Sequence, residues 1–488
     1  MPRSRDVTDR NRESALSLVS DLFPPLVFLS ARRAQPVRGK GRSPPESYTF
    51  HLTFFRPDMR TTGGLREEAV LATRERGNRP LPERPNLRHL KDQAKDLLKS
   101  GGAESLTDAQ FKVAREYGFD SWPKLKAHVE LLHETGQLKE AIDVEDLARV
   151  IEMMTKNPAL HKAPLGYNKN GPLTWVAECR TVKGPPTQRR LETARWMIEH
   201  GSDIHQGGDG PLMRAAMNDD RIPMMELLVA HGANVNAVWN GYYPIICAPC
   251  ECLAPGSLKW LLEHGANLRV VSTKYGSPLS MVVGTYARGS KGKHECLEVF
   301  ASQGFTLPET PCMAFHRGRI DLLEEHLNRD TGLLNKRFSE TEIFPPELGL
   351  KPGDGLHLTP IAGTTLLHLA IEYDELEIAS WLLEKGADAN ARSAVDAEGF
   401  GGHTPLFHAV VALGARDDAK ARLLLKYGAD PNARATIRKQ LQDMGDSEKE
   451  TMFEFHNVTP ISYAKRFQEP KWVSRSTLEL LKAHGGVE

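Results

Sequence analysis

Cys247-Ala-Pro-Cys250-Glu-Cys252 puts three thiols within six residues. A Cys-x-x-Cys pair is the spacing of a zinc knuckle or of a redox couple. A structural zinc site needs a second ligand pair, and the downstream candidates Cys296, Cys312 and His316 show no paired spacing. The stretch also aligns with the end of a short helix, a poor frame for a knuckle. The expectation is therefore three small apolar side chains in a core, with a metal- or thiol-responsive role for Cys247, Cys250 and Cys252 as the alternative.

A second candidate is "GTYARGSK", residues 284–291. Gly284 and Gly289 stand at the spacing of a phosphate loop. Ser290-Lys291 replaces the Lys-Ser/Thr order that reaches phosphate and Mg²⁺, and no strand precedes it. It reads as a long loop between two helices. No Gly-x-Ser-x-Gly elbow and no His-Glu-x-x-His occurs. His200, His231 and His264 each precede a glycine at the same place in a recurring phrase. A catalytic histidine would occur once, with partners. Repeated ones read as helix-end residues that meet free carbonyls. The sequence thus gives no residues for catalysis and none for a cofactor or metal.

The chain that must carry these residues has 488 of them, with 63 Lys+Arg against 63 Asp+Glu. That balance gives no bias toward nucleic acid or anionic lipid. Six scattered cysteines suit reduced thiols in the cytoplasm rather than a disulfide framework. No apolar run spans a bilayer. The stretch 15–31 has the flanks of a signal peptide, but Asp21 and Pro24-Pro25 break its core, which argues against export. Residues 1–82 hold 15 Arg/Lys against 9 Asp/Glu without sustained periodicity, the composition of a disordered basic leader. Met59 is an alternative start.

Helical periodicity begins with Leu87, Leu90, Ala94, Leu97 and Leu98 and continues through "LTDAQFKVAREYGFDSWPKLKAHVELL", residues 106–132. Thr107 and Ser121 are expected N-caps, Pro123 falls in a first turn, and Phe111, Ala114 and Tyr117 are expected on one buried face. Residues 84–134 read as a small helical module. The 106–132 pair also has the outline of a DNA-binding helix pair using Lys124 and Lys126. Glu116, Asp120 and Glu130 dilute that basic surface.

From 140 to 488 the chain repeats. A helix-end phrase recurs as "LVAHGANVNA" (228–237), "LLEHGANLRV" (261–270), "LLEKGADANA" (382–391) and "LLKYGADPNA" (424–433). A helix-start phrase recurs as "GPLMRAA" (210–216), "TTLLHLA" (364–370) and "HTPLFHA" (403–409). Gly201, Gly232 and Gly265 lie 31 and 33 residues apart. A two-helix unit near 33 residues opening on Thr-Pro-Leu-His-x-Ala resembles the ankyrin repeat. The resemblance covers roughly seven tenths of the chain and implies an all-α solenoid of about eight or nine helix pairs. "DAQFKVAREYGFDSWPKLKAHVE" is similar to a segment that precedes such repeats in bacterial proteins.

The resemblance implies a non-catalytic scaffold that holds a protein partner on a concave face and its extended turns, with no nucleic acid or membrane involved. Which partner, and in what oligomeric state, the sequence leaves open. Insertions lengthen loops within units at 179–190 and 284–293, and turns between units at 338–362, 392–402 and 434–457. Long loops in a compact fold are often functional. Aromatic residues on or beside the turns are the expected partner anchors: Trp239, Tyr242, Tyr243, Tyr275, Phe344, Phe400 and Phe455.

Overall fold

The computed structural model describes residues 79–488 apart from 83–84, 166–169, 180–183, 351–354, 356 and 443–449, together with residues 29–30 and 51–52. The expectations for the basic leader, the 15–31 stretch and Met59 fall almost wholly outside those residues. The chain divides into two compact units between Gly241 and Tyr242.

In the first unit, α1 (Leu87–Lys99), α2 (Leu106–Glu116) and the start of α3 (Trp122–Asp143) enclose Leu90, Ala94, Ala109, Val113, Ala114, Tyr117, Leu125 and Val129. Small alanines let these short helices approach closely. Two details differ from the sequence reading. Ser105 caps α2 in place of Thr107, its hydroxyl accepting from the Asp108 N–H at 3.1 Å. Phe111 points outward, 48% exposed, because Ala109, Val113 and Ala114 already set the buried stripe. Ser121 caps α3 with Pro123 in its first turn, as expected.

The 22-residue α3 runs through the expected end of the module at residue 134. Its second half buries Thr135, Leu138, Ala141 and Ile142. One helix thus supplies an apolar face both to the module and to α4 (Leu147–Lys156). Helix pairs follow: α5 (Pro172–Glu178) with α6 (Gln188–Glu199), and α7 (Gly210–Ala215) with α8 (Ile222–Ala230).

The second unit continues the pairing. Its pairs are α9 (Cys247–Cys252) and α10 (Pro255–Glu263), α11 (Pro278–Val283) and α12 (Ser290–Ser302), and α13 (Pro311–His316) and α14 (Ile320–Arg329). After the short α15 (Glu340–Ile343) come α16 (Leu366–Glu372) with α17 (Leu376–Glu384), and α18 (Pro405–Val410) with α19 (Ala419–Lys426). The last pair is α20 (Pro460–Arg466) and α21 (Arg475–Ala483).

Each pair has a division of labour readable in its residues. First helices such as α5, α16 and α18 are buried at every position, so they are apolar or paired all round. Second helices bury one stripe, Ile378, Ala379, Leu382 and Leu383 in α17, and present charge outward. Prolines open most first helices at a point where a missing N–H costs nothing. Ser277, Thr310 and Thr459 cap them. Thr404 does not: its buried hydroxyl finds no hydrogen-bond partner. Gly386 and Gly428 take positive φ just past α17 and α19, as their place in the helix-end phrase predicts. The histidines before such glycines bond the carbonyl four residues back, His200 to Trp196, His231 to Leu227 and His264 to Trp260, each at 2.7 Å.

Buried charges tie neighbouring first helices together. Arg214 of α7 stands 3.8 Å from Glu178, the last residue of α5. In the second unit Glu372 ends α16 in the same way. Its carboxylate receives His408 Nδ1 of α18 at 2.8 Å, the Leu358 N–H at 3.1 Å and Arg288 Nη2 at 3.4 Å. Arg288 comes from residues 284–289, which lie between α11 and α12; Ser290 and Lys291, expected in that loop, instead open α12. Burial alone would raise the Glu372 pKa. The His408 hydrogen bond, then the charges of His408 and Arg288, outweigh it and hold the carboxyl at about 2. Beside it Lys420 pairs with Asp374, and His294 Nε2 meets Glu375 at 2.9 Å.

Lys293 is a costlier member of this region. Its ammonium is buried, donates to the Val283 carbonyl at 3.1 Å and meets His316 Nδ1 at 2.9 Å. Burial pulls its pKa down to about 7. The unfolded chain, with lysine near 10.4, then binds the extra proton between pH 7 and about 10, so stability rises with pH across that window. Lys293→Met is expected to flatten this rise in denaturant titrations run at pH 7, 8.5 and 10. An unchanged slope would show that Lys293 stays charged in the fold.

Candidate protein-binding surface

The turns between units are built by short polar side chains. Asp388 Oδ1 accepts from the Asn390 N–H at 2.8 Å, and Asp430 Oδ1 from the Asn432 N–H at 2.8 Å, each closing an Asx turn. The asparagines then reach the following unit. Asn390 donates to the Gly428 carbonyl at 2.8 Å and accepts from the Asp430 N–H at 2.7 Å. Asn432 repeats this with the Gly485 carbonyl at 3.0 Å and the Val487 N–H at 2.8 Å.

Three lengthened turns are joined edge to edge by main-chain bonds. Gly363 N donates to the Phe338 carbonyl at 2.7 Å, and Ala394 N to the Gly363 carbonyl at 2.8 Å. Ser393 and His403 close the next turn at 2.9 Å, and Gly401 N donates to the Thr436 carbonyl at 2.6 Å. Gly401 has φ +130°, and any Cβ there would overlap the Ala394 carbonyl, so only glycine permits this junction. The last insertion is an antiparallel hairpin, Ala435–Gln442 against Glu450–Val458. Ala435, Ile437, Phe455 and Val458 face inward, while Arg438, Met452, Glu454 and His456 are left toward solvent. That period of two was present in "ATIRKQ" and "MFEFHNV" and marks a strand pair.

Burial separates the expected anchors into two groups. Trp239, Tyr243, Phe344 and Phe455 are core residues, a correction to their expected exposure. Trp239 is 1% exposed, against the Gly207–Gly210 turn. Gly208 has φ +82°, and a Cβ there would stand 2.5 Å from the Val238 carbonyl, so this close approach needs glycine. The Tyr243 hydroxyl donates to the buried Glu251 Oε2 at 2.5 Å. Phe344 stacks on His316 at 5.8 Å, and Phe455 packs edge-on against Tyr463 at 4.8 Å. Their turns fold back and use the aromatic ring as their own core.

Tyr242, Tyr275 and Phe400 stay half-buried at the surface. Lys274 Nζ lies 3.9 Å from the Tyr242 ring centroid, and the Arg438 guanidinium 3.7 Å from that of Phe400. Arg438 is held there by Glu398 at 2.6 Å and Glu454 at 3.0 Å. These are rigid amphipathic plates of the kind that partner surfaces use.

Residues 313–435 match the model of three ankyrin repeats, and residues 207–240 match the single-repeat model. The chain carries ankyrin repeats. No curated protein matches it significantly. Ankyrin repeats generally mediate protein–protein interaction. The matched residues take in α16 to α19 and the turns joined at Gly363 and Gly401.

Outside the matched repeats, Cys247 and Cys250 are buried in α9 and Cys252 half-buried at its end. Burial, then the neighbouring Glu251 carboxylate, pushes the Cys247 thiol well up, the reverse of what a reactive thiolate requires. Among the described residues no group of three or more His, Cys, Asp or Glu stands close enough to hold a metal ion. Lys124 is paired with Asp120 at 2.8 Å and Lys126 with Glu130 at 3.6 Å, so acidic side chains accompany both lysines of the α2–α3 pair. Among the described residues no helix is long and apolar enough to cross a membrane.

What sequence reading missed on this surface is a set of arginines, Arg337, Arg392 and Arg434. Each follows an asparagine by two residues, in Asn335-Lys336-Arg337, Asn390-Ala391-Arg392 and Asn432-Ala433-Arg434. Aligning the copies on their asparagines would have found them.

Proposed function

We propose that the chain is a non-catalytic adaptor of the cytoplasm. It holds one protein partner on the joined turns from Phe338 to Val458. On this reading the helix pairs outside the matched residues are further units of one solenoid, and the α1–α3 module caps it as in the bacterial proteins it resembles. The observation that carries the proposal is the continuous main-chain linkage of three successive turns through Gly363 and Gly401. A surface whose loops are already fixed loses little entropy on binding. Half-exposed Phe400 under Arg438 supplies an aromatic anchor in its midst.

The test replaces residues 437–456 with a two-residue turn and checks that the variant melts as a folded protein. A partner retained from the native cell by the whole chain should be lost by the variant. Equal retention would place the binding surface elsewhere.

A further inference from the structure

Arg337, Arg392 and Arg434 form a ladder across three successive turns. Arg337 Nε donates to the Arg392 carbonyl at 2.9 Å. Arg392 Nη1 donates to the Arg434 carbonyl at 2.8 Å and to the Gly402 carbonyl at 3.0 Å. Arg434 Nη1 donates to the Asn457 carbonyl at 2.8 Å. All three residues are exposed. Among the described residues none has a carboxylate within ion-pair distance, although neighbouring cations do: Lys336 pairs with Glu342 at 2.9 Å and Arg438 with Glu398 at 2.6 Å.

Carbonyl bonds position a guanidinium without neutralising it. Each arginine spends one or two of its five N–H donors in this way and keeps the rest, together with a full charge. A fixed, planar, uncompensated fork is the geometry that receives a carboxylate in two parallel bonds. We propose that the ladder binds an extended acidic peptide with a carboxylate at about every third residue. This deepens the adaptor reading above and rests on it.

The spacing follows from the layers. Packed helix layers are roughly 8–10 Å apart, and an extended or polyproline chain advances about 3.1–3.3 Å per residue. One layer therefore spans about three residues, and in a polyproline helix every third side chain lies on one face. Three guanidiniums would meet carboxylates at positions i, i+3 and i+6. A continuous phosphate chain fits less well. The ladder is a single row of three cations on a chain of zero net charge, and Glu342, Glu398 and Glu454 flank it.

The experiment uses the full chain and a fluorescein-labelled peptide of four Glu-Pro-Pro triplets, read by anisotropy. A peptide of the same composition with its glutamates contiguous and a twelve-residue oligothymidylate serve as controls. The triplet peptide is expected to bind more tightly than either and to weaken as salt rises. Arg392→Gln, which keeps a donor for the carbonyls but loses the charge, is expected to weaken binding roughly tenfold, the worth of one charge-assisted pair. Arg392→Lys should recover only part, having charge without the fork. The triple Arg337→Gln, Arg392→Gln, Arg434→Gln variant should not bind.

The proposal is overturned if the triple variant melts like the wild type and binds the triplet peptide equally, or if the wild type does not bind it. Oligothymidylate bound as tightly, and lost with the same arginines, would overturn it in favour of a phosphate chain. A native partner lost when the 437–456 hairpin is replaced, but held at full affinity by the triple variant, sinks the ladder and leaves the adaptor reading standing. A native partner held equally by both variants sinks both.

Discussion

Glu372→Ala is expected to cost the 242–488 unit about 3–5 kcal/mol and to lower its melting temperature by roughly 10 °C. The carboxylate is buried and serves three donors from three segments: His408 from α18, Arg288 from the loop before α12, and the Leu358 N–H. Removing it takes the carboxylate from the buried Arg288 charge and leaves an imidazole and an amide without their buried acceptor. Glu372→Gln keeps the volume and one acceptor, so it should cost less. The pH response separates the two. The carboxyl is held at about 2 in the fold against roughly 4.3 in an unfolded chain, so its stabilisation is present above pH 4.3 and drains away as pH falls toward 2. Urea titrations from pH 6 to pH 2 should show that loss in the wild type and a shallower one in Glu372→Gln. Identical slopes would mean that Glu372 is already protonated in the native protein.

Trp239→Ala should be about as damaging to the 57–241 unit, at roughly 3–5 kcal/mol for a buried indole truncated to a methyl group. The ring is enclosed by the Gly207–Gly210 turn, whose backbone approaches too closely to refill the space with side chains. An exposed anchor would behave oppositely, costing affinity and sparing the melt. Calorimetry of the variant alone, followed by partner titration well below its melting point, distinguishes the cases. A wild-type melt with weakened binding would return Trp239 to the surface.

These residues mark where sequence was a good guide and where it was not. The helix pairs were legible because "LLEKGADANA" and "HTPLFHA" carry their own stop and start chemistry: a glycine that turns left-handed, an aspartate that closes an Asx turn, a proline at a first turn. Those signals are local, and each acts within four or five residues. The histidines before the glycines were readable for the same reason. Exposure of the turn aromatics was not. Whether Phe344 or Trp239 points out depends on glycines at 355 and 208 that admit the ring or the backbone beside it, and on His316, which is distant in sequence. Arg288 and Glu372 are separated by 84 positions, and no spacing rule joins them. The 434–457 insertion was weighed by its length, although its alternation pointed to the hairpin that formed. The module boundary at 134 fell inside α3, whose helix continues unbroken to Asp143.

The side-chain contacts of Asn390 and Asn432 run in the same direction along the chain. Asn390 grips the turn at 428–430, and Asn432 grips the residues at 485–487. An amide in one layer is therefore shielded by a side chain belonging to the layer before it. Deuterium uptake at Asp430 then reads out the integrity of the turn 40 residues upstream rather than that of its own helix pair. Each layer acts as a gauge for its predecessor, so local opening would register one step ahead of where it began.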